Sequence, residues 1–397
     1  MSGYRICSLI AVVLVSVLFL AGCGDDEKDS PTRPQVPAGW EKTYRIDAWS
    51  AGASIKQTSD GGYIVTGSSG PNFDSADVLL LKISAAGDSL WAKTFDTPCW
   101  AAGVSVLQTS DGGYLVLADY HGNSGEFWLI KTDANGNMEW NQFKGYSDRD
   151  EVPSEVQQTS DGGYILIGTT NLGGGDYDSW LVKIGPNGDN HWNRTKGYSN
   201  REESGASVQQ TSDGGYLLVG TTYGTGSGYH DLWLVKTDAG GNTDWHRTLN
   251  AGADARGKAI CRTAEGAYVF IGDVASDEQR FIGIICYDEA GNQLWGVPHD
   301  GSGDFWGSEV HQTEDGGFMV AGSQRLDVGG SRDFCLIKFD GAGETLWTKT
   351  FGSGEDDVCY SGQQTSDGGY ILCGSAPPSG GVGRRVFLVK TDRNGRI

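Results

Sequence analysis

The sequence predicts an all-β fold, a seven-bladed β-propeller of four-stranded antiparallel blades closed into a ring. Three observations predict it: a long internal repeat, short apolar runs typical of strands, and a first strand that matches the end of each repeat. The repeat is marked by Gln-Thr-Ser-Asp-Gly-Gly-Tyr, first found at residues 57–63, and its acidic residue recurs at Asp60, Asp111, Asp161, Asp213, Glu265, Asp315 and Asp367. The spacings are 51, 50, 52, 52, 50 and 52 residues. Such a fixed period indicates a repeat architecture.

Each period contains four segments typical of β-strands. They are short apolar runs rich in Val, Ile, Leu, Tyr and Trp, bounded by Gly, Asp and Asn. In the fourth period we assign strand a to residues 207–211, strand b to 216–220, strand c to 232–237 and strand d to 243–249. The a–b and c–d connections are tight and centred on Gly, which accepts the positive φ of hairpin turns. Each period is therefore predicted to form one antiparallel blade.

The last period lacks its fourth strand, and a matching strand stands at the other end of the propeller. A Trp follows the c–d turn six times, at Trp91, Trp140, Trp192, Trp245, Trp295 and Trp347. The seventh turn, at Gly395, is followed by only two residues. Residues 39–44 match residues 90–95 almost position for position, with Trp40 in the place of Trp91. A first strand that completes the last blade closes the ring and removes exposed strand edges.

The first 38 residues predict an address in the bacterial cell envelope. Residues 1–22 contain an apolar stretch too short to span a membrane and resemble a signal peptide. They end in Leu-Ala-Gly before Cys23, which resembles a lipobox and implies acylation of Cys23, with palmitate among the expected chains. Residues 23–38 are polar and Pro-rich, as in an extended tether. We therefore expect a signal peptide at 1–22, an acylated tether at 23–38 and a propeller at 39–397, held at the outer membrane on its periplasmic or surface side.

The repeats resemble those of secreted bacterial propeller lipoproteins built on the Asp-Gly-Gly-Tyr unit. More distantly, the c–d segment with its turn Gly and following Trp is similar to the tryptophan-docking repeat of the quinoprotein-like propellers. That group contains pyrroloquinoline-quinone enzymes and outer-membrane assembly scaffolds. The resemblance covers residues 39–397 and concerns the fold more than the function. Quinone enzymes usually have eight blades and a cofactor site of their own. No match to such a site is found here, so we expect no cofactor.

The composition limits the classes of partner. The formal net charge is −21, so the surface repels nucleic acid and anionic lipid headgroups. A monomer that meets the membrane through Cys23 and binds an envelope protein or a glycan is expected. Calcium binding lacks support, because Asp133, Asn135 and Asn137 resemble the start of a calcium loop but no Glu closes it. No other metal site is predicted, since the Cys residues show no paired spacing.

Variation along the sequence predicts a binding face. Up-and-down blades place the a–b and c–d turns on one face and the d–a and b–c loops on the other, which we call the turn face and the loop face. The loop face contains the variation in length and sequence, and such loops carry function. The position eleven residues before each turn acid is occupied by Trp49, Trp100, Asp150, Glu202, Asp254, Asp304 and Asp356, with Trp306 close by. These eight residues form the predicted ligand-binding set at the mouth of the central channel.

Two interpretations of this set remain open. The carboxylates can cap the d–a loops by accepting backbone N–H bonds. Alternatively, Trp49 and Trp100, flanked by Asp150 and Asp356, form the edge of a pocket for a cationic ligand, a glycan or a protein loop. A second set of acids lies at the start of strand c, at Asp77, Glu126, Asp178, Asp231 and Asp333. Basic residues take this place in the fifth and seventh blades and form what we call the basic notch: Arg280, Arg384 and Arg385.

The sequence therefore predicts a membrane-anchored lipoprotein whose propeller acts as a binding or scaffolding module, and not an enzyme. No catalytic residue is predicted, because no nucleophile triad or metalloprotease motif is present and His311 has the position of a structural residue. One alternative is a carbohydrate-active or quinone-dependent enzyme that uses carboxylates at the channel mouth. A second alternative is a purely structural cell-surface protein.

Overall fold

The computed structural model describes residues 39–397 except 123, 174, 199–200, 224–228, 251, 276–279, 300, 302, 328 and 379–380. The predicted signal peptide, the tether and the lipidation site Cys23 lie outside the described residues. The described part forms seven antiparallel four-stranded sheets, together with one short 3₁₀-helix at Phe73–Ser75. The prediction of a seven-bladed, all-β propeller is confirmed.

The strands follow one another around the ring in chain order. The first blade contains β2 (Trp49–Gln57), β3 (Tyr63–Gly70), β4 (Asp77–Ile83) and β5 (Ser89–Phe95). The second and third contain β6 (Ala101–Gln108), β7 (Tyr114–His121), β8 (Gly125–Thr132), β9 (Met138–Lys144), β10 (Glu151–Gln158), β11 (Tyr164–Asn171), β12 (Tyr177–Ile184) and β13 (Asn190–Lys196). The fourth and fifth contain β14 (Glu203–Gln210), β15 (Tyr216–Tyr223), β16 (His230–Thr237), β17 (Thr243–Leu249), β18 (Asp254–Arg262), β19 (Tyr268–Ala275), β20 (Arg280–Tyr287) and β21 (Gln293–His299). The sixth and seventh contain β22 (Asp304–Gln312), β23 (Phe318–Arg325), β24 (Asp333–Phe339), β25 (Thr345–Phe351), β26 (Val358–Gln364), β27 (Tyr370–Ala376), β28 (Arg385–Thr391) and the first strand β1 (Trp40–Tyr44).

The ring is closed as the sequence predicts. Strand β1 pairs antiparallel with β28, and Trp40 lies opposite Lys390. On the turn face the amide oxygen of Gln57, in the first blade, accepts a hydrogen bond of 2.8 Å from the N–H of Ser366 in the last. The same bond joins other neighbouring blades, as from Ser59 N–H to Gln108 at 2.8 Å. Closure therefore repeats the contacts that hold the rest of the ring.

The a–b turn is a recurring polar unit that explains the repeated Asp and Lys. In the first blade the Asp60 carboxylate accepts hydrogen bonds from the Thr58 hydroxyl at 2.5 Å and the Gly62 N–H at 2.9 Å. The Lys82 ammonium, almost fully buried, lies 2.9 Å from the second carboxylate oxygen. Equivalent Lys–Asp pairs occur at Lys131–Asp111, Lys183–Asp161, Lys236–Asp213, Lys338–Asp315 and Lys390–Asp367. The repeated Lys therefore forms an ion pair with the recurrent turn carboxylate in six of the seven blades.

The Trp of each blade packs against the c–d turn of the next blade. Gly136, at φ 76°, lies so close to Trp91 that a Cβ built on it would be 2.7 Å from an indole carbon. The same approach joins Trp40 to Gly87 across the closure. The hydrophobic core is correspondingly divided, with one cluster between each pair of neighbouring sheets; Ile64 and Leu80 of the first blade, for example, pack with Val116 of the second.

Strands a and b are longer than predicted, whereas c and d are close to prediction. In the fourth blade β14 begins at Glu203 instead of 207, and β15 ends at Tyr223 instead of 220. The register shifts between Gly205 and Ser207, so a bulge interrupts the alternation on which strand prediction depends. Beyond the bulge both strands consist largely of polar residues, so the apolar pattern that predicts a strand ends before the strand does.

Candidate functional site

The seven a strands surround a central channel that contains a cavity of about 350 Å³. Most of its wall is formed by small or amide side chains. Six further residues bring charge or acid–base groups to the wall: Lys56, Glu155, Lys258, Glu309, His311 and Tyr360. We call these six the channel set. They come from five different blades, so the ring and not any local motif brings them together.

In five blades the side chain of the residue after the bulge accepts a hydrogen bond from the next a strand. In several blades it is a Ser whose hydroxyl accepts the N–H of the next blade, as from Val156 to Ser105 at 3.3 Å and from Ile55 to Ser361 at 3.1 Å. Glu155 occupies this position in the third blade and accepts the Val208 N–H at 3.0 Å. The two channel glutamates therefore replace serines of a structural belt while keeping their side chains at the cavity wall.

The surroundings of these glutamates shift their pKa values in opposite directions. Burial raises the pKa of Glu155, although its carboxylate also accepts the Ser207 hydroxyl at 2.7 Å. Burial acts against ionisation of Glu309 as well, but Lys56 and His311 outweigh it and lower the pKa to about 2. The Lys56 ammonium lies 3.6 Å and His311 Nε2 lies 2.7 Å from Glu309. One channel can thus hold a carboxylic acid and a carboxylate at the same pH, an arrangement typical of acid–base sites.

Four of the five acidic members of the predicted ligand-binding set make contacts of the capping kind. Asp150 accepts the N–H of Gly125 at 3.1 Å, at the start of strand c in the preceding blade. Three further carboxylates accept an N–H at the equivalent place, in the pairs Asp254–His230, Asp304–Arg280 and Asp356–Arg332. Glu202 is exposed. These bonds fasten neighbouring loops to each other, and ligand binding by the set stays a prediction.

Trp49 and Trp100 belong to a row of aromatic rings on the loop face. Phe73 lies between them, with its ring centre 5.4 Å from that of Trp49 and 5.8 Å from that of Trp100. His121 extends the row, 4.9 Å from Trp100. Phe73 is 52% exposed, while the indole N–H groups of both tryptophans are buried. The row, defined as Trp49, Phe73, Trp100 and His121, therefore offers mainly ring carbon to a ligand.

Trp306 lies in a cluster of arginines on the opposite part of the loop face. The guanidinium carbons of Arg325, Arg332 and Arg280 lie 5.3, 5.7 and 5.8 Å from its ring centre. Each guanidinium forms one ion pair, in the pairs Arg325–Asp304 at 2.5 Å, Arg332–Asp356 at 2.6 Å and Arg280–Asp273 at 3.9 Å. We call Trp306 and its three arginines the arginine cluster.

Sequence reasoning found one arginine of the cluster and no residue of the channel set except His311, which it treated as structural. Arg384, another predicted member of the basic notch, donates to the backbone carbonyl of Asp356 at 2.8 Å and to the Ser375 hydroxyl. The missed residues do carry a signal, which is departure from the repeat. Glu155 and Glu309 stand where four other blades have Ser and the fifth has Ala, and Arg325 and Arg332 stand in a b–c segment without Arg or Lys in the first four blades.

No group of three or more His, Cys, Asp or Glu side chains within 39–397, leaving out the gaps given above, is placed to hold a metal ion. In the same part of the chain, no helix has the length and apolar character needed to cross a membrane.

The protein is a seven-bladed propeller, and solved structures of other propellers superpose on it. No protein-family model and no curated protein matches the sequence. An ulvan lyase bound to a saccharide of glucuronic acid and sulfated rhamnose superposes with a TM-score of 0.57 at 9% identity, over 89% of this chain and 96% of that one. The polysaccharide lyase Uly1 gives 0.55 at 12%, over 86% and 90%. A protein of unknown function from Dyadobacter fermentans gives 0.54 at 10%, over 88% and 97%. At such identities the likeness shows the fold.

The prediction that this protein is not an enzyme is contradicted by these neighbours. Propellers that are polysaccharide lyases superpose on most of this chain and over nearly their whole length. The prediction relied on the lack of a contiguous catalytic motif. In a propeller, however, the side chains that line the channel come from different blades and are separated by fifty or more residues in the sequence. Glu155 and Glu309 are an example. A missing motif is therefore no argument against catalysis in this fold.

Proposed function

We propose that this protein is an exported, lipid-anchored propeller that binds a carbohydrate on its loop face. The observation that carries the proposal is the aromatic row, in which four rings form three neighbouring pairs with centres less than 6 Å apart. A half-exposed aromatic surface beside polar loops is how proteins commonly hold sugar rings. The row lies on the loop face, where the rigid ring presents segments that differ from blade to blade.

Lipid anchoring is supported by the sequence alone. The lipobox-like residues before Cys23 follow an apolar stretch of signal-peptide length, and a Pro-rich tether separates them from the first strand at Trp40. Cys23→Ser should abolish incorporation of a labelled fatty acid and move the protein from the membrane fraction to the soluble fraction. An unchanged membrane fraction for the variant would count against this part of the proposal.

The binding proposal is tested with a matched pair of phenylalanine variants. Phe73 belongs to the row, whereas Phe143 has similar exposure, 44%, but stacks on Trp128 away from it. We expect Phe73→Ala to weaken binding of a glycan from a broad panel by about tenfold, the effect of losing one good contact, while Phe143→Ala leaves it unchanged. Isothermal titration measures both. Equal affinity in the two variants, or no glycan bound by the wild type, would contradict the proposal.

A second candidate function is turnover of the bound carbohydrate in the channel. It is favoured by the opposite pKa shifts of Glu155 and Glu309, because elimination and hydrolysis both require one group that takes a proton and one that gives it. If the candidate is right, Glu155→Gln and Glu309→Gln each abolish release of shortened saccharides while binding on the loop face persists. Glu314→Gln, an exposed change on the turn face, serves as the control. Activity that survives both channel variants would exclude these residues.

A further inference from the structure

We infer that the carbohydrate is acidic, and that Arg280, Arg325 and Arg332 bind its carboxylate or sulfate groups beside Trp306. This inference rests on the proposed function, because it assumes that the loop face is the binding surface. It adds the chemical class of the ligand and a second place on that face where the ligand is held.

The geometry of the arginine cluster suits an anionic group attached to a ring. The three guanidinium carbons lie 5.3 to 5.8 Å from one indole centre. Their side chains are 28%, 33% and 35% exposed, so they are partly desolvated but can still be reached. A guanidinium presents a planar fork of donors that matches both carboxylate and sulfate oxygens. Trp306, itself half-buried, supplies an aromatic surface for the attached sugar.

The acids near the cluster leave part of its donor capacity free. Arg332 gives Nε and Nη2 to Asp356, and Arg325 gives Nη2 to Asp304. Arg280 is the least engaged, because its closest approach to Asp273 is 3.9 Å, beyond hydrogen-bond distance. A guanidinium has five N–H donors. Each arginine of the cluster can therefore bind an anion without leaving its acidic neighbour.

The arginine cluster adjoins the central channel. Asp273 joins the two, because its carboxylate lies 3.5 Å from the Lys258 ammonium in the channel wall as well as 3.9 Å from Arg280. Its other oxygen accepts the N–H of Gly307, next to Trp306, at 2.8 Å. An anion held by the arginines would therefore place the adjoining sugars over the mouth of the cavity that contains Glu155 and Glu309.

The overall charge of the protein does not rule out an acidic ligand. The net charge is −21, but interactions between exposed charges are screened beyond about 8 Å at physiological salt. Groups in contact with the arginines interact mainly with the cluster. Remote acids would instead slow the approach of the ligand at low salt, so the binding assay should be run near physiological ionic strength.

The experiment compares acidic saccharides with their neutral parents. One pair is an oligogalacturonide and its methyl ester, and the other is a sulfated galactan oligosaccharide and its desulfated form. The variants are Arg280→Gln and the control Arg256→Gln, an exposed arginine paired with Asp254 on the same face but outside the cluster. We expect the wild type to bind at least one acidic form about tenfold more tightly than its parent. Arg280→Gln should remove most of that preference, since one charged hydrogen bond is lost.

The outcomes separate this inference from the proposed function. Arg256→Gln should behave as wild type, and the methyl ester or desulfated form should bind Arg280→Gln and wild type alike. Equal affinity for acidic and neutral forms would overturn the inference and leave carbohydrate binding standing. No binding of any form would overturn both. Preference for the uronate pair or the sulfate pair identifies which anion is recognised. A Tm equal to that of wild type for each variant shows that the ring is intact.

Discussion

The two faces of the ring are built from one repeat, yet the recurring acid of the turn face and the buried acids of the loop face have pKa values shifted in opposite directions. On the turn face, hydrogen bonds from a Thr hydroxyl, a buried Lys and a Gly N–H outweigh burial and lower the pKa of the six turn aspartates. The value falls to about 2 at Asp60, Asp111, Asp161, Asp213 and Asp315. On the loop face, burial dominates and raises the pKa of Glu151, Asp178, Glu203, Asp333 and Asp357. The loop face also has acids of the stabilising kind, since His or Arg partners lower the pKa of Asp254, Asp304 and Asp356. The difference indicates that the turn aspartates stabilise the fold, whereas the loop face retains, beside such acids, buried carboxyl groups that do not.

The crowding of carboxylates on the loop face depends on glycine. A Cβ built on Gly197 would lie 1.8 Å from an oxygen of Asp178 and 2.8 Å from an oxygen of Glu203. Gly352 stands in the same relation to Asp333 and Asp357. The backbone thus permits two buried acids to approach each other in more than one blade. Groups with shifted pKa values gather at functional sites more often than elsewhere, which agrees with binding on this face.

The largest loss of stability is expected when the contact between a Trp and the c–d turn Gly of the next blade is disrupted. Gly136→Ala places a methyl group against Trp91 and requires a residue with a side chain at φ 76°. We expect a loss of about 3 kcal/mol in the free energy of unfolding, from backbone strain and overpacking together. The control is Gly112→Ala, at φ 86° with no atom within 4 Å of the new methyl group, which should lose about 1 kcal/mol. Urea unfolding measures both, and equal losses would show that the indole contact contributes nothing.

The fold could be predicted because the features that determine it recur. The turn unit around Asp60, the Gly of the c–d turn and the Trp that packs on it appear in nearly every blade. Even the ring closure could be predicted, because Trp40 matches the fourth-strand Trp of the other blades. The strand ends near the loop face could not, because bulges such as the one at Gly205 and Ser207 shift the alternation there.

The candidate site could be predicted only in part, since its residues are departures from the repeat. Trp49 and Trp100 were found because they replace acids at one repeat position. Glu155 and Glu309 were missed because a single Glu among polar residues carries no spacing signal. They line the same cavity only because the seven blades close into a ring around a channel. Arg325 and Arg332 meet Trp306 through a b–c loop whose course a repeat pattern does not specify.

The loop face should become more stable when one of its crowded acids loses its charge. The pKa of Asp178 is raised to about 6 by burial and by Asp176 and Glu203. A raised folded-state pKa means that stability is fully present below the unfolded value of about 3.9 and is lost as the pH rises through 6. Asp178→Asn removes this loss, so we expect it to stabilise the ring by roughly 2 kcal/mol at pH 7.5 and by almost nothing at pH 4. Unfolding at both pH values measures the difference, and a gain that does not depend on pH would point to packing instead.

The turn face should show the opposite dependence with a smaller amplitude. Asp60 has a lowered pKa, so its contribution to stability is present above pH 4 and is lost as the pH falls towards 2. Because the carboxylate is 60% exposed, water screens the interaction with Lys82, and the effect of Asp60→Asn should be the smallest of the three. We expect a lower Tm than wild type at pH 7 and the same Tm at pH 2. Asp74→Asn, an exposed change on the loop face, is the control for charge alone. A deficit that persists at pH 2 would mean that Asp60 acts through turn geometry and not through its charge, and the contrast between the two faces would then concern burial only.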